Sequence, residues 1–214
     1  MGKLLNGPQG QVIGSVGNNV SYVLKGQNVI KAKCRKVIKF RKLSPAQQDN
    51  CYRMTVINKF FKGILPLLKA GFHNVSIGTT SHYHNAATSY NKRHALKGEY
   101  PNLTIDFANI KISLGPLPMP LTSSANLIAE GVDFIWSYSD SQLDAKAGDQ
   151  TLILLHFPAL ERSLQFIYGS LRSSGKEIIE LPEEYQNTQM ECYLSFISGD
   201  RTLVADSSYL GRLN

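Results

Sequence analysis

Histidine is the residue type in this chain whose spacing comes nearest to that of a metal site. His73, His82, His84 and His94 all lie between positions 73 and 94. Zinc ligands on a helix are usually three or four residues apart, or they converge from neighbouring strands. His82 and His84 are only two residues apart, and no acidic residue lies near them before Glu99. The spacing therefore predicts surface or interface histidines and no metal site.

Motifs for other kinds of chemistry are missing from the sequence. No G-x-S-x-G nucleophile motif occurs, and Asp140, Asp144 and Asp149 do not have the spacing of a calcium loop. The glycines of residues 2–18 form neither a dinucleotide-binding motif nor a P-loop. The three cysteines have no C-x-x-C spacing: Cys34, Cys51 and Cys192. We therefore expect a protein that is not an enzyme and has no cofactor and no small-molecule substrate.

A basic segment, residues 25–42, contains no acidic residue and stands out from the rest of the chain. Between positions 30 and 41, apolar side chains predominate at even positions and cations at odd positions. This alternation is typical of an amphipathic β-strand. We call its cations the basic face and expect them to contact a partner: Lys31, Lys33, Arg35, Lys39 and Arg41. The alternative is a solvated edge strand whose lysines oppose aggregation.

Charge is divided unevenly between the two halves of the chain. Residues 1–100 contain 16 Lys and Arg and 2 acidic residues, a net charge of +14. Residues 101–214 contain 7 Lys and Arg and 14 acidic residues, a net charge of −7. Such a division suggests either a polyanion as partner or contact between copies of the chain. The carboxylates expected to oppose the basic face cluster around Pro182, and we call them the acidic face: Glu177, Glu180, Glu183 and Glu184.

The fold predicted from the sequence is mainly β with a helical segment, an α+β class. Residues 1–43 are expected to form a glycine-rich arm and a basic hairpin that turns at Lys25-Gly26. Residues 44–101 are expected to contain two helices, the first kinked or divided by Pro66 and the second covering 81–96.

Residues 102–214 are predicted to form an immunoglobulin- or fibronectin III-like β-sandwich with Trp136 as its core anchor. Alternating apolar residues and intervening turn signals define seven candidate strands. These strands are predicted over 103–113, 131–138, 150–157, 163–168, 176–181, 191–198 and 201–208.

Several stretches of the chain are similar to a known family. The chain opens with MGKLLNG, GQVIGSVGNNV and KGQNVI, continues with SPAQQDNCYRMTVINKFFKGILPLL and YPNLTIDFANIKIS, and closes with YLSFISGDRTLVADSSYLG. Over nearly its whole length it resembles a family of uncharacterised bacteroidete proteins, which is filed as a domain of unknown function. The resemblance implies a shared fold and supplies no activity.

We interpret the protein as a structural or interaction protein that forms a homo-oligomer or polymer. Its N-terminal arm would add a strand to a neighbouring copy, with help from the opposite charges of the two faces. The alternative is binding of nucleic acid or another polyanion by the basic strand 31–42. No apolar run could span a membrane, and no standard secretion signal is present. A cytoplasmic location is expected by default, with non-classical export or association with a particle as alternatives.

Overall fold

The computed structural model describes residues 2–4, 11–34, 42–77, 81–139 and 144–214, with only the backbone of residues 2–4. The chain divides into two compact units, Met1–Ser44 and Pro45–Asn214, which we call the first unit and the second unit. An α+β class with predominant β-structure is confirmed. No helix in these ranges is long and apolar enough to cross a bilayer.

The first unit is a four-stranded antiparallel sheet with the strand order β1-β4-β3-β2. Its strands are β1 (Gly2–Leu4), β2 (Gly14–Val16), β3 (Asn19–Leu24) and β4 (Gln27–Ala32). The predicted hairpin is confirmed, because Lys25 and Gly26 join β3 to β4. Their φ values of 48° and 76° give the left-handed conformations that a type I′ turn requires.

Strand β4 is shorter than the predicted basic strand. It ends at Ala32, which pairs with Asn19, the first residue of β3. Beyond Ala32, the Lys33 N–H still donates to the carbonyl oxygen of Asn18, the residue before β3, at 2.7 Å. Lys33 and Cys34 are not part of the strand. Residues 35–41 lie outside the described residues.

The second unit begins with helices: α1 (Pro45–Phe61), α2 (Leu65–Gly71), α3 (His73–Ser76) and α4 (Tyr83–His94). Of the two alternatives for Pro66, the division of the helix is the one observed. Pro66 lies in the first turn of α2, where a missing N–H costs little. The second predicted helix corresponds to α4. The single turn α3 was not predicted, because four residues give too little periodicity to detect.

The strands of the second unit belong to three antiparallel sheets. They are β5 (Leu96–Lys97), β6 (Thr104–Ile105), β7 (Ser123–Ile128), β8 (Gly131–Trp136), β9 (Gln150–Phe157), β10 (Arg162–Leu171), β11 (Lys176–Glu180), β12 (Met190–Ile197) and β13 (Ser208–Leu213). The four-stranded sheet has the order β10-β9-β12-β13, and the three-stranded sheet has the order β11-β8-β7. Strands β5 and β6 form a small separate pair.

The four-stranded sheet is the middle of three layers. All residues from 151 to 157 in β9 are buried, because this strand is covered on both faces. Its even-numbered leucines share an apolar cluster with the helices, formed by Leu152, Leu154, Phe61, Leu68 and neighbouring side chains. Its odd-numbered residues share a second cluster with the three-stranded sheet, formed by Ile153, Leu155, Phe134, Trp136 and neighbouring side chains.

Two antiparallel sheets thus face each other, but the immunoglobulin- or fibronectin-like arrangement is not confirmed. Sandwiches of that kind commonly leave the outer face of each sheet in solvent, whereas helices cover the outer face of the four-stranded sheet. Trp136 is nevertheless a core residue. Its ring lies 5.4 Å from that of Phe196, and its Nε1 donates to the carbonyl oxygen of Arg172 at 2.7 Å.

Strand positions near the C-terminus differ from the prediction. The predicted strand over 201–208 is a turn and a short bridge, and β13 begins only at Ser208. Asp200 holds this turn, because its Oδ1 accepts hydrogen bonds from Ser198 Oγ at 2.6 Å and from the Thr202 backbone N–H at 3.0 Å. Strand β7 was not predicted, since its sequence SSANLI shows no regular alternation.

Candidate interaction site

Only part of the predicted basic face lies in the described residues. Lys31 and Lys33 are both exposed, and Lys31 Nζ lies 5.4 Å from the centre of the Tyr22 ring. At an exposed site, such a cation–π contact contributes about 0.5–1 kcal/mol. The other three cations, Arg35, Lys39 and Arg41, are outside the described residues.

The sheet of the first unit buries few side chains. In residues 11–34 and 42–44, Val29 is the one hydrophobic residue that is buried. Ile13 and Val16 remain 74% and 66% exposed. Apolar side chains of this size normally contribute to stability by burial, at about 1.5–3 kcal/mol each. The described part of the first unit therefore exposes apolar side chains that it does not bury in a core of its own.

Strand β2 is an edge of this sheet. Within the described residues it pairs with β3 and with no other strand, through Gly14↔Ser21, Ser15↔Val20 and Val16↔Asn19. The loop between β2 and β3 has two residues, so Val16 and Asn19 form the ladder pair that closes the hairpin. Because hydrogen-bonded and non-bonded pairs alternate, the N–H and C=O of Ser15 point away from β3. Within the described residues, no backbone bond uses the N–H and C=O of Ser15, so this edge presents one donor and one acceptor there.

The predicted acidic face is divided between two environments. Glu177 lies opposite Phe134 on the inward side of the three-stranded sheet, where it accepts hydrogen bonds from Thr151 Oγ1 and, at 3.1 Å, from the Ser170 backbone N–H. Glu180, Glu183 and Glu184 are exposed. The structure therefore brings three of the four glutamates to the surface, with Glu177 engaged in internal hydrogen bonds.

The surface glutamates lie in and just after β11. Strand β11 pairs with β8 so that Glu180 is opposite Gly131, the residue that follows the exposed Glu130. The backbone N–H of Leu181 donates to the Glu130 carbonyl oxygen at 3.2 Å. This arrangement brings Glu130, which the sequence did not single out, to the same end of the sheet as Glu180.

A comparison with known families gives a match to residues 10–211 of the chain, over nearly its whole length. The matching model is described as a family of unknown function, DUF6266. The chain belongs to this family. Its predicted membership of an uncharacterised family is thereby confirmed. No curated protein and no solved structure matches the chain.

In this DUF6266 protein, the sequence did not reveal a buried ion pair between Arg172 and Asp149. Their side chains are 0% and 1% exposed, and Arg172 Nη1 lies 3.6 Å from Asp149 Oδ2. Arg172 Nη2 also donates to the Pro118 carbonyl oxygen at 2.8 Å, and its guanidinium lies 4.9 Å from the centre of the Phe196 ring. Burial raises the pKa of Asp149 and lowers the pKa of Arg172. The pair joins three segments of this DUF6266 chain that are distant in sequence.

A row of four polar side chains crosses the four-stranded sheet. Ser163, His156, Glu191 and Arg212 are cross-strand neighbours on β10, β9, β12 and β13. His156 Nδ1 lies 2.9 Å from Ser163 Oγ, and burial lowers the pKa of His156 to about 4. Glu191 accepts hydrogen bonds from Arg212 Nε at 2.7 Å and from Tyr209 Oη at 2.5 Å.

This row has the residue types of a hydrolase triad, but both oxygens of its carboxylate accept hydrogen bonds from residues other than the histidine. One oxygen of Glu191 is bonded to Arg212 and the other to Tyr209. The rings of Phe60 and Phe107 lie 4.8 Å and 5.3 Å from that of His156. The side-chain hydrogen bonds of the row link β10 to β9 through Ser163 and His156, and β12 to β13 through Glu191. Sequence spacing could not indicate the row, because its members come together only through strand register.

The histidines considered for metal binding are not brought together with other ligands. His82 Nδ1 accepts a weak hydrogen bond from the His84 backbone N–H at 3.5 Å, next to the start of α4. Among the residues that the structure describes, no group of three His, Cys, Asp or Glu side chains could hold a metal ion.

Proposed function

We propose that this DUF6266 protein is a non-enzymatic interaction protein that assembles with further copies of itself through the first unit. The observation that carries the proposal is the open edge of β2, which lies beside the exposed side chains of Ile13 and Val16. Folded units of about 40 residues or fewer usually need a disulfide, a metal or a partner to be stable. A partner fits best here, because a second copy could pair with the open edge and cover the apolar side chains.

Strand addition is the mode of assembly that the backbone of β2 favours. The N–H and C=O of Ser15 are directed to the open edge, where a strand from a neighbouring copy can bond to both. Backbone hydrogen bonds would supply affinity, and burial of Val16 would add up to about 1.5–3 kcal/mol. Opposite net charges of +14 and −7 in the two halves of the chain would speed the approach of copies.

A proline at Ser15 tests this proposal. Ser15→Pro removes the outward N–H, and its ring occupies the space of an added strand, while no ladder bond to β3 is lost. We expect self-association, measured by sedimentation velocity over a concentration series at low salt, to weaken by about tenfold or more. Amide hydrogen exchange in β3 and β4 verifies that the hairpin of the variant is still folded.

Ser15→Ala is the matched control, because it changes the side chain and keeps the N–H. This variant should associate like the wild-type protein. A wild-type protein that sediments as a monomer at low salt and high concentration would contradict the proposal. So would a Ser15→Pro variant that keeps a protected hairpin and associates as strongly as the wild type.

Polyanion binding is the second interpretation of the same lysines, and fewer observations favour it. Lys31 and Lys33 are exposed, but Lys31 already lies over the ring of Tyr22. The negative half of the chain would also repel a long polyanion. Random-sequence RNA added to the sedimentation samples distinguishes the two interpretations, because only a polyanion-binding protein would sediment with the RNA.

A further inference from the structure

A shallow groove of about 340 Å³ lies at one end of the three-stranded sheet. Leu127 at the end of β7 and Ala129 in the turn to β8 line one wall, and the segment after β11 contributes Leu181 and Gln186. Leu181 is 7% exposed, whereas Leu127 is 48% exposed. The groove is near the lower end of the volume range of ligand sites, about 300–1,000 Å³. It is therefore large enough for a few side chains of a peptide.

Three glutamates lie next to lining residues of this mixed polar and apolar groove in sequence. Glu130 lies between the lining residues Ala129 and Gly131, Glu180 directly precedes Leu181, and Glu183 lies between Leu181 and Gln186. All three are exposed, and none forms an ion pair with another residue in the described ranges. We call them the rim glutamates. Glu184 lies nearby and pairs with Arg162 at 3.5 Å.

We propose that this groove binds the basic segment, residues 31–42, of a second copy of the chain. The inference rests on the proposed self-assembly and specifies its receiving surface. The sequence of the segment alternates cations with apolar residues such as Ala32, Cys34, Ile38 and Phe40. In the proposed contact, the alternate apolar side chains of the segment enter the groove. The cations of the basic face then form ion pairs with the rim glutamates.

Charge complementarity favours a second copy as the occupant. The half of the chain that carries the groove has a net charge of −7, so it attracts a basic segment and repels long polyanions. Each copy has one basic segment and one groove, and a contact between them is heterologous. Repeated heterologous contacts generate a ring or a filament. The groove contact and the pairing at β2 use different surfaces of the molecule.

Reciprocal charge reversal tests the contact between the segment and the groove. One variant carries Lys31→Glu and Lys33→Glu, and the other carries Glu180→Lys and Glu183→Lys. Each variant alone places like charges at the contact, so its self-association should be about tenfold weaker or more at low salt. An equimolar mixture restores opposite charges at every contact between the two variants. Sedimentation velocity with one variant labelled should therefore show co-assembly with the mass distribution of the wild type.

Glu99→Lys with Asp144→Lys is the control for the Glu180→Lys and Glu183→Lys variant, since it raises the net charge by the same amount at two exposed positions outside the groove. This control should assemble like the Ser15→Ala variant. If the mixture fails to co-assemble, the segment does not bind the groove of another copy. If the Glu180→Lys and Glu183→Lys variant assembles normally while Ser15→Pro does not, the groove is not the binding surface. Assembly through β2 is then still supported. A wild-type protein that is monomeric contradicts both assembly through β2 and binding in the groove.

Discussion

At the scale of single residues, the second unit depends on polar groups that are buried and held by specific partners. Arg172 and Asp149 come from segments that also contact Pro118 and Phe196. A charge in such a position is costly without its partner, because the remaining ion has lost its hydration. The pair holds irregular segments of the chain together in the interior of the second unit.

Removal of one partner should therefore be more harmful than removal of both charges. We expect Arg172→Met to lower the free energy of unfolding by about 3–5 kcal/mol, and urea denaturation measures this loss. Arg172→Met combined with Asp149→Asn should be less destabilising, since asparagine can still accept the hydrogen bond from the Lys146 N–H. Equal losses in the single and double variants would show that Arg172 contributes by packing alone.

The pH dependence of the Arg172→Met variant provides a further check. Burial already raises the pKa of Asp149 in the presence of Arg172, and the loss of the cation raises it further. A folded state that binds a proton more tightly than the unfolded chain becomes more stable as the pH falls through that pKa. The loss caused by Arg172→Met should therefore be smaller at pH 5 than at pH 8.

His156 should make the stability of the wild type depend on pH in mildly acidic solution. Burial lowers its pKa to about 4, whereas the pKa of an unfolded histidine is about 6.5. Below about pH 6.5 the unfolded chain gains a proton that the folded chain does not bind. The free energy of unfolding should therefore fall by about 3 kcal/mol as the pH falls from about 6.5 to about 4.

Substitution of His156 separates this contribution from that of the other groups. His156→Gln should lose stability at neutral pH and show a flatter profile between pH 6.5 and 4, as measured by urea denaturation. His73→Gln, at an exposed histidine, is the control and should keep the wild-type profile. A His156→Gln profile as steep as that of the wild type would assign the pH dependence to other residues.

At the scale of elements, the close contact of α2 with the chain near Ser113 is critical. A Cβ on Gly71, the last residue of α2, would lie 2.3 Å from the carbonyl oxygen of Ile112. The backbone N–H of Leu114 also donates to the Gly71 carbonyl oxygen at 3.0 Å. The helix and this segment are therefore joined backbone to backbone, without space for a side chain.

Gly71→Ala should push these two segments apart. We expect the free energy of unfolding to fall by about 1–3 kcal/mol, the usual cost of overpacking. Gly63→Ala is a matched control, because the nearest atom to its Cβ would be Ser163 Oγ at 3.9 Å. Thermal unfolding followed by circular dichroism compares the two variants. An equal change in both would contradict a steric effect specific to Gly71.

Elements with strong local signals could be predicted, and those defined by distant contacts could not. Pro66 divides the first helix and Lys25-Gly26 forms the hairpin turn because each residue restricts its own backbone. The strand predicted over 201–208 is wrong, since the side-chain bonds of Asp200 form a turn there and β13 begins at Ser208. Glu177 was assigned to an exposed face, whereas pairing of β11 with β8 turns it inward.

At the scale of the whole molecule, the sequence indicated the α+β class and the charge division but not the layering. The apolar stripe of α1 and the apolar run of β9 were both recognisable in the sequence. Nothing local indicated that the helices pack on the sheet, because that contact joins residues such as Phe61 and Leu152, far apart in the chain. The surface predicted for assembly could be placed only in part, since residues 35–41 lie outside the described residues.

The burial of β9 on both faces has a consequence for how the second unit folds. Its alternate side chains belong to two apolar clusters that lie on opposite sides of the same backbone. Loss of β9 would disrupt both clusters at once, because its side chains belong to both. We therefore expect the elements packed on β9 to unfold together with it, although two separate hydrophobic interiors lie within residues 45–214.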